Sequence, residues 1–413
     1  MKRFISLCVL VFVAPWLYGE PKEVATVKKD SPDIAKAKKA MEAVKDAGYL
    51  VIDEYDPGKE GKGMLCRQVI MPNAWKCYSI ERFTQIRKVQ VGRGGGTFSV
   101  LIPCPTDVGD QGHLATSIAV ITMGNGNGPG GPMNKDKYTM RIVYGKSGEG
   151  GKNPHRNPFV LVEVTDPPAS GFDVRTTSWL MMPTSTMQPA QAAQYIRSKS
   201  LSSAGVTKFM KDHGLEPFKH WHDAKPGKEL QRLLDEEKKK CKTPWDYFDF
   251  AAKAGLGVRY DAAVFTHDPD AVATNNRGDC GGRASLAKRL GCGWIEYVEG
   301  YVQGMDEKFG GKHGWNLGFT NNGIFVLDAG GSYIGPQTTN FIVTTMGGWN
   351  EVPDFALKFE PNHGINGGCF SGLNADFTFL HMKDASEVKL EKGPLLDYFN
   401  ARVALRKKVY APK

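Results

Sequence analysis

Beyond its first twenty residues the sequence has no apolar run approaching the ~20 residues that a membrane-spanning helix needs, so no span is expected. It has no Cys-x-x-Cys pair, and its eight cysteines are widely dispersed, which argues against a zinc site. No Lys-Ser/Thr pair and no helix pattern follow Gly92-Arg93-Gly94-Gly95-Gly96, so that stretch reads as a hairpin turn rather than a phosphate loop. The basic residues are scattered and lack an aromatic stacking platform, which argues against nucleic-acid binding. No internal repeat is visible.

What is there suits a soluble, exported protein of two or three domains: 413 residues, 41% hydrophobic and 23% charged. Residues 1–19 read as a signal peptide, with Lys2 and Arg3 as the basic region and an apolar stretch over 4–17 interrupted by Pro15. Leu17-Tyr18-Gly19 is an imperfect cleavage site, and Cys8 lies inside the apolar stretch rather than at a lipid-anchor position. The formal charge of +9 falls to +7 when Lys2 and Arg3 leave. Seven cysteines then remain (66, 77, 104, 241, 280, 292 and 369), and an odd number in an exported chain flags a free thiol. With Cys280 free, the other six could form three disulfides in fifteen connectivities; Cys66 with Cys77 is the favoured pair, closing a small loop.

Residues 20–86 form an N-terminal segment, polar and Lys-rich at first, with Ile34, Ala37, Met41 and Val44 at helical spacing over 31–45. Over 87–182 the pattern becomes short β-runs (88–91, 96–102, 115–123, 138–144, 158–164, 172–182) between Gly/Pro/Asn turns, which reads as a small β-sandwich. The stretch 183–193 reads as a linker. Residues 194–385 make the expected core: helical periodicity at 191–203, 206–213, 228–239 and 244–254, then strands at 258–260, 293–302, 313–319 and 324–328. Thr243 and Pro244 suit a helix start. The region 330–376 is Gly-rich and expected to be irregular, with a strand at 377–382. Residues 386–413 form a basic C-terminal extension, helical over 393–408. The fold class expected is α+β.

Two stretches carry chemistry. In Gly278-Asp279-Cys280-Gly281-Gly282-Arg283 a tight turn delivers a cysteine to a helix start; Asp279 is a suitable N-cap, and Gly291 a suitable stop. The positive end of the helix dipole favours the thiolate there. By itself such a cysteine is more often plain packing. The second stretch is the hairpin around Thr320-Asn321-Asn322-Gly323. A four-residue loop sets Phe319 opposite Ile324, Leu317 opposite Val326 and Trp315 opposite Asp328. His313 and Asp328 are then diagonal neighbours on one face, roughly 7–8 Å apart between α-carbons. Each is costly to bury alone and tolerable as a hydrogen-bonded pair. Cys280, His313 and Asp328, in that order, supply a nucleophile, a base and a group that orients the base.

These residues resemble the transglutaminase-like core, a papain-related fold with a Cys–His–Asp triad. The resemblance rests on Gly278-Asp279-Cys280-Gly281, Leu286, Leu290-Gly291, Val298-Glu299-Gly300-Tyr301, His313-Gly314-Trp315 and Val326-Leu327-Asp328, and it covers roughly residues 225–335. Upstream, Val258-Arg259-Tyr260-Asp261 fits the strand that such proteins place before the cysteine, and the β-rich 87–182 is similar in position to the sandwich that often precedes bacterial cores. Two departures stand out: Gly314 where a small apolar residue such as Ala is usual, and Ala329-Gly330-Gly331 after the aspartate in place of a proline-containing turn.

The resemblance implies an exported cysteine enzyme that attacks peptide or side-chain amide carbonyls through a thioester, with a protein or peptide as substrate. Hydrolysis is the leading expectation because the likeness is to the broad bacterial group. Protein-glutamine transamidation is the alternative, and removal of glycans from asparagine a distant one. A non-catalytic envelope binding or scaffold protein is the contrasting class; the intact triad argues against it. For the oxyanion, the Cys280 N–H is one candidate, with Trp245 or Tyr260 as aromatic alternatives. No metal or cofactor is expected. His220-Trp221-His222-Asp223 has no third ligand in view and reads as a solvated loop. Asp268, Asp270, Asn275 and Asn276 lack the alternation of a calcium loop. Cys292 is expected to pair elsewhere or pack, and Glu296 and Glu299 to line an exposed strand edge.

Overall fold

The structure is a computed structural model that describes residues 31–52, 76–91, 96–123, 130–144, 157–185, 188–212, 225–264, 266–302, 312–330, 333–338, 340–347, 369–371, 375–380, 386–387 and 390–409. Residues 1–19, read above as a signal peptide, Cys66 (and with it the expected Cys66–Cys77 pairing) and His220-Trp221-His222-Asp223 lie outside the described residues. The arrangement is α+β, built on antiparallel sheets.

Helix α1 (Pro32–Asp46) starts where Ser31 accepts the Asp33 N–H and a proline occupies the first turn. Its buried residues are Ile34, Ala37, Met41 and Val44, the face its spacing implied. Six strands follow: β1 (Lys76–Val91), β2 (Thr97–Pro103), β3 (Gly112–Thr122), β4 (Tyr138–Tyr144), β5 (Pro158–Thr165) and β6 (Phe172–Ser185). Strand β1 is far longer than expected, because every residue from Lys76 to Val89 pairs with β6. Strands β1, β6 and β3 belong to one sheet, β2, β5 and β4 to another. Alternate residues face inward, so Val89, Val120, Phe172 and Val174 of the first sheet share a core with Phe98, Val100, Val160 and Val162 of the second.

The chain then turns helical: α2 (Pro189–Arg197), α3 (Ser203–Asp212), α4 (Lys228–Lys240) and α5 (Pro244–Gly257). Thr243 and Asp246 form a reciprocal capping box at the start of α5. Short strands β7 (Arg259–Tyr260) and β8 (Arg277–Gly278) pair in parallel and flank α6 (Pro269–Asn275). Helix α7 (Cys280–Arg289) follows β8 directly. Strands β9 (Ile295–Val302), β10 (Lys312–Phe319), β11 (Ile324–Asp328), β12 (Tyr333–Gly335) and β13 (Phe341–Met346) make the third sheet, in the order β12-β11-β10-β9-β13. Strands β12 and β13 lie in the region expected to be irregular; β13 is a β-branched run, Phe-Ile-Val-Thr-Thr-Met, that pairs with β9. Strand β9 is therefore interior, which corrects the expectation of an exposed edge: Glu296 is 5% exposed and Glu299 1%. Glu296 forms a buried ion pair with Lys288 of α7.

Strand β13 ends the third sheet, and side-chain amides satisfy its outer edge. Gln111 donates to Val343 O (2.8 Å) and accepts from Val343 N (2.9 Å); Asn157 does the same at Met346 (2.7 and 2.9 Å). Among the described residues no strand pairs with that edge of β13; two fully buried amides satisfy it instead and join the third sheet to the first two. Close packing on the other edge of β13 depends on Gly300, where a Cβ would collide with the Ile342 carbonyl oxygen. Gly300→Ala is expected to destabilise by about 1–3 kcal/mol or more, measured by urea unfolding. A neutral result would contradict this packing.

After the third sheet the chain returns to the other two. Strand β14 (Cys369–Ser371) adds to β2, and β15 (Ala375–Leu380) and β16 (Ser386–Glu387) add to β1. Helix α8 (Pro394–Val409) packs Ala401 and Leu405 against Ile34 and Ala37 of α1. Its basic character is only partly a solvated face, since Arg402 and Arg406 are fully buried. Arg406 donates to the carbonyls of Asp110 and Gln111. Among the described residues no helix is long and apolar enough to cross a membrane.

Candidate active site

Asp279 caps α7 as its sequence implied, accepting the Gly282 N–H at 2.8 Å. Cys280 is the first residue of the helix and is half-buried. Helix α7 lies against β10 through Asn316, whose Nδ2 donates to Ala284 O at 2.9 Å. Gly314 has a reason to be glycine: a Cβ there would sit 3.0 Å from Gly281 Cα and 3.0 Å from the Tyr297 hydroxyl. The residue that departs from the usual small apolar one lets the cysteine helix approach the sheet.

The hairpin has the register read from the sequence, with Phe319 opposite Ile324 and Leu317 opposite Val326. His313 and Asp328 meet, Nε2 lying 2.9 Å from Asp328 Oδ2. Both are buried, as a bonded pair can be. The carboxylate is held in turn by the Gly330 N–H at 2.9 Å from Oδ1, so the glycine turn after Asp328 serves the site. Trp315 is fully buried and stacks on the His313 ring at 5.9 Å between centroids. With Nε2 occupied, the other ring nitrogen of His313, Nδ1, is buried without a partner at hydrogen-bonding geometry. It is the ring nitrogen left for Cys280.

Burial alone would lower the His313 pKa, but the hydrogen bond to Asp328 and the interactions with Asp328 and Cys280 beside the ring outweigh it and push it up to about 10. A protonated imidazole beside a cysteine is the arrangement that nucleophilic cysteine chemistry uses. The shift also links to stability. The contribution from His313 is fully present below its ordinary value of about 6.5 and is lost as pH rises through about 10. The stability difference between wild type and His313→Gln is expected to shrink from pH 7 to pH 10 in urea titrations. A difference that is constant or grows over that range would contradict the ion pair.

A cysteine–histidine contact elsewhere in the fold is fully buried. Cys104 Sγ lies 3.7 Å from His113 Nε2, with Thr116 Oγ1 2.8 Å from that same nitrogen. Burial pushes the Cys104 thiol up to about 12 and the His113 ring down to about 4. Both partners are neutral at pH 7, so this pair has neither a thiolate nor an imidazolium. The surroundings, and not the residue types, separate the two pairs.

The other candidates fall out differently. Trp245 is spent elsewhere: its Nε1 donates to Lys199 O at 2.9 Å and its ring packs on Phe248 and Phe325, so it is no oxyanion donor. Tyr260 is half-exposed; burial and the negative charge of Cys280 raise its pKa, and Arg283 lies over its ring. Asp268 caps α6 by accepting the Asp270 N–H, and Asp270 accepts the Gly227 N–H, so their carboxylates already serve the backbone. Among the described residues no cluster of three or more His, Cys, Asp or Glu is arranged to hold a metal. Cys292 is exposed, in a left-handed turn at φ 51°. The sequence reading missed His267, whose Nδ1 lies 3.7 Å from Glu299 Oε1, with Tyr297 donating to the same oxygen. A lone histidine in an irregular loop carries no periodic signal; the interior position of Glu299 would have drawn attention to it.

No family model matches the chain, and no curated protein matches it. Among solved structures, the crystal structure of a "putative cysteine protease" from Cytophaga hutchinsonii is similar with a TM-score of 0.42 and 12% identity, over 74% of this chain and 89% of that one. A likeness of that size decides neither fold nor chemistry, and the functional reading rests on the geometry above.

Proposed function

We propose that the protein is an exported cysteine hydrolase of transglutaminase-like, papain-related type, cleaving amide bonds in a protein or peptide. On this reading the region of two sheets sharing one core is a β-sandwich and the third sheet with its helices is the catalytic core. Cys280 Sγ attacks the amide carbonyl carbon, and charge develops on the carbonyl oxygen near the helix start. Asp279 draws on the N–H groups of Gly281 and Gly282, leaving the Cys280 N–H as the backbone donor for that oxygen. His313 protonates the leaving amine, a thioester forms, and His313 then takes a proton from the water that resolves it. Asp328 fixes the ring and stabilises its charge.

The single observation that carries this reading is the Asp328–His313 bond through Nε2, which leaves Nδ1, unpartnered among the described residues, for the cysteine at a capped helix start. Iodoacetamide labelling of native protein near pH 6 tests it. One rapidly alkylated cysteine is expected, and it is lost in Cys280→Ala. Equal labelling of that variant would overturn the assignment. Peptide amides incubated with and without a primary amine then separate hydrolysis from transfer: free acid with the amine present supports the hydrolase, while an amide adduct points to transamidation.

A further inference from the structure

A second histidine–carboxylate pair stands against the start of α7. Glu299 lies on the interior strand β9 and is 1% exposed, with Oε2 lacking a hydrogen-bond partner among the described residues. A carboxylate is costly to place there unless charge and hydrogen bonds meet it. Tyr297 donates to Oε1, and the His267 ring lies with Nδ1 3.7 Å from the same oxygen. Burial and the Glu299 charge hold the Tyr297 phenol well above its usual pKa, so it remains a donor. The far side of the His267 ring faces the residue after the nucleophile: a Cβ at Gly281 would collide with Nε2, and one at Gly282 would sit 2.9 Å from Thr266 O. The two glycines that follow Cys280 are thus required by the loop carrying His267. On another side, Gly281 meets Gly314 beside the Tyr297 hydroxyl.

We infer that His267 is a positioning residue for acyl transfer: anchored by Glu299 and Tyr297, it fixes the peptide units around Gly281 so that the Cys280 N–H aims at the developing oxyanion. The inference rests on Cys280 being the nucleophile. It assigns Glu299 and Tyr297 to holding His267, a task that the Cys280–His313–Asp328 set does not perform.

Two reactions of the same sulfur test it. Acylation by p-nitrophenyl acetate forms the Sγ–C bond, passes through an oxyanion, and breaks the ester C–O bond, p-nitrophenolate leaving with the electron pair. Alkylation by iodoacetamide forms an Sγ–CH2 bond as iodide leaves, with no oxyanion. His267→Ala is expected to slow the acylation burst on the order of 10²-fold, the cost of a small misplacement, while alkylation at the same pH stays within about twofold. His267→Gln, which keeps a side-chain N–H at similar reach, is expected to recover part of the loss. Glu299→Gln, close to isosteric, is expected to lower acylation selectively as well, and serves as the test variant if His267→Ala does not fold. Unchanged acylation, or acylation and alkylation slowed equally, overturns the role of His267 alone. If wild-type Cys280 is neither acylated nor selectively alkylated, the nucleophile assignment falls and this inference with it.

Discussion

Asp328→Asn is expected to lower the rate of acyl transfer by about 10⁴-fold while leaving the fold and the Cys280 side chain in place. The carboxylate accepts a proton-bearing Nε2 at 2.9 Å. An asparagine turned by the Gly330 N–H to keep its oxygen on that donor would present its NH2 group to the ring. Nε2 would then have to accept, Nδ1 would carry the proton, and the ring could no longer take one from the thiol. The variant should also lose the raised His313 pKa, since the bond and charge of Asp328 are among its causes. The check is the burst rate with p-nitrophenyl acetate, beside near-ultraviolet circular dichroism as a control for folding. A loss below about tenfold would mean that Asp328 does not orient the base.

Arg402→Ala is expected to cost about 3–5 kcal/mol of stability, because it strands a buried carboxylate. Arg402 is fully buried; it donates to Asp107 Oδ2 at 2.7 Å and to the His113 carbonyl at 2.6 Å. Burial would raise the Asp107 carboxyl, but the charges of Arg402 and Arg406 and its hydrogen bonds hold it below the usual carboxylate range. Its stabilising contribution is therefore present above about pH 3.9 and is lost as pH falls through the lowered folded value. Urea unfolding at pH 7 measures the cost, and the gap between wild type and variant should narrow on acidification. A loss below about 1 kcal/mol at pH 7 would mean that α8 does not clamp the sheets in this way.

The parts of the site that could be read from the sequence are those set by local rules. The period-two alternation of strands and the Asn-Gly loop determine which residues of a hairpin face each other, so the meeting of His313 and Asp328 followed from counting. Asp279 as a cap follows from helix-end chemistry in the same way. Glu299 could not be read because its environment depends on a non-local partner: β13, more than forty residues later, turns β9 from an edge into an interior strand. His267 is brought to Gly281 by loop packing that no spacing encodes. The return of β14, β15 and β16 to the first two sheets is long-range pairing of the same kind. So is the burial of Arg402 and Arg406, which a basic terminal helix does not announce. Gly314 was legible only as a departure; the close approach of α7 explains it.

The central claim is that Cys280 forms a thioester with the acyl part of its substrate. The most direct measurement is to mix the protein with p-nitrophenyl acetate, quench in acid within the burst, and locate the acetyl group by peptide mass spectrometry. One acetyl group on Cys280, released by hydroxylamine at neutral pH and absent from Cys280→Ala, is the result expected. Acetylation spread over lysines with Cys280 unmodified would contradict it.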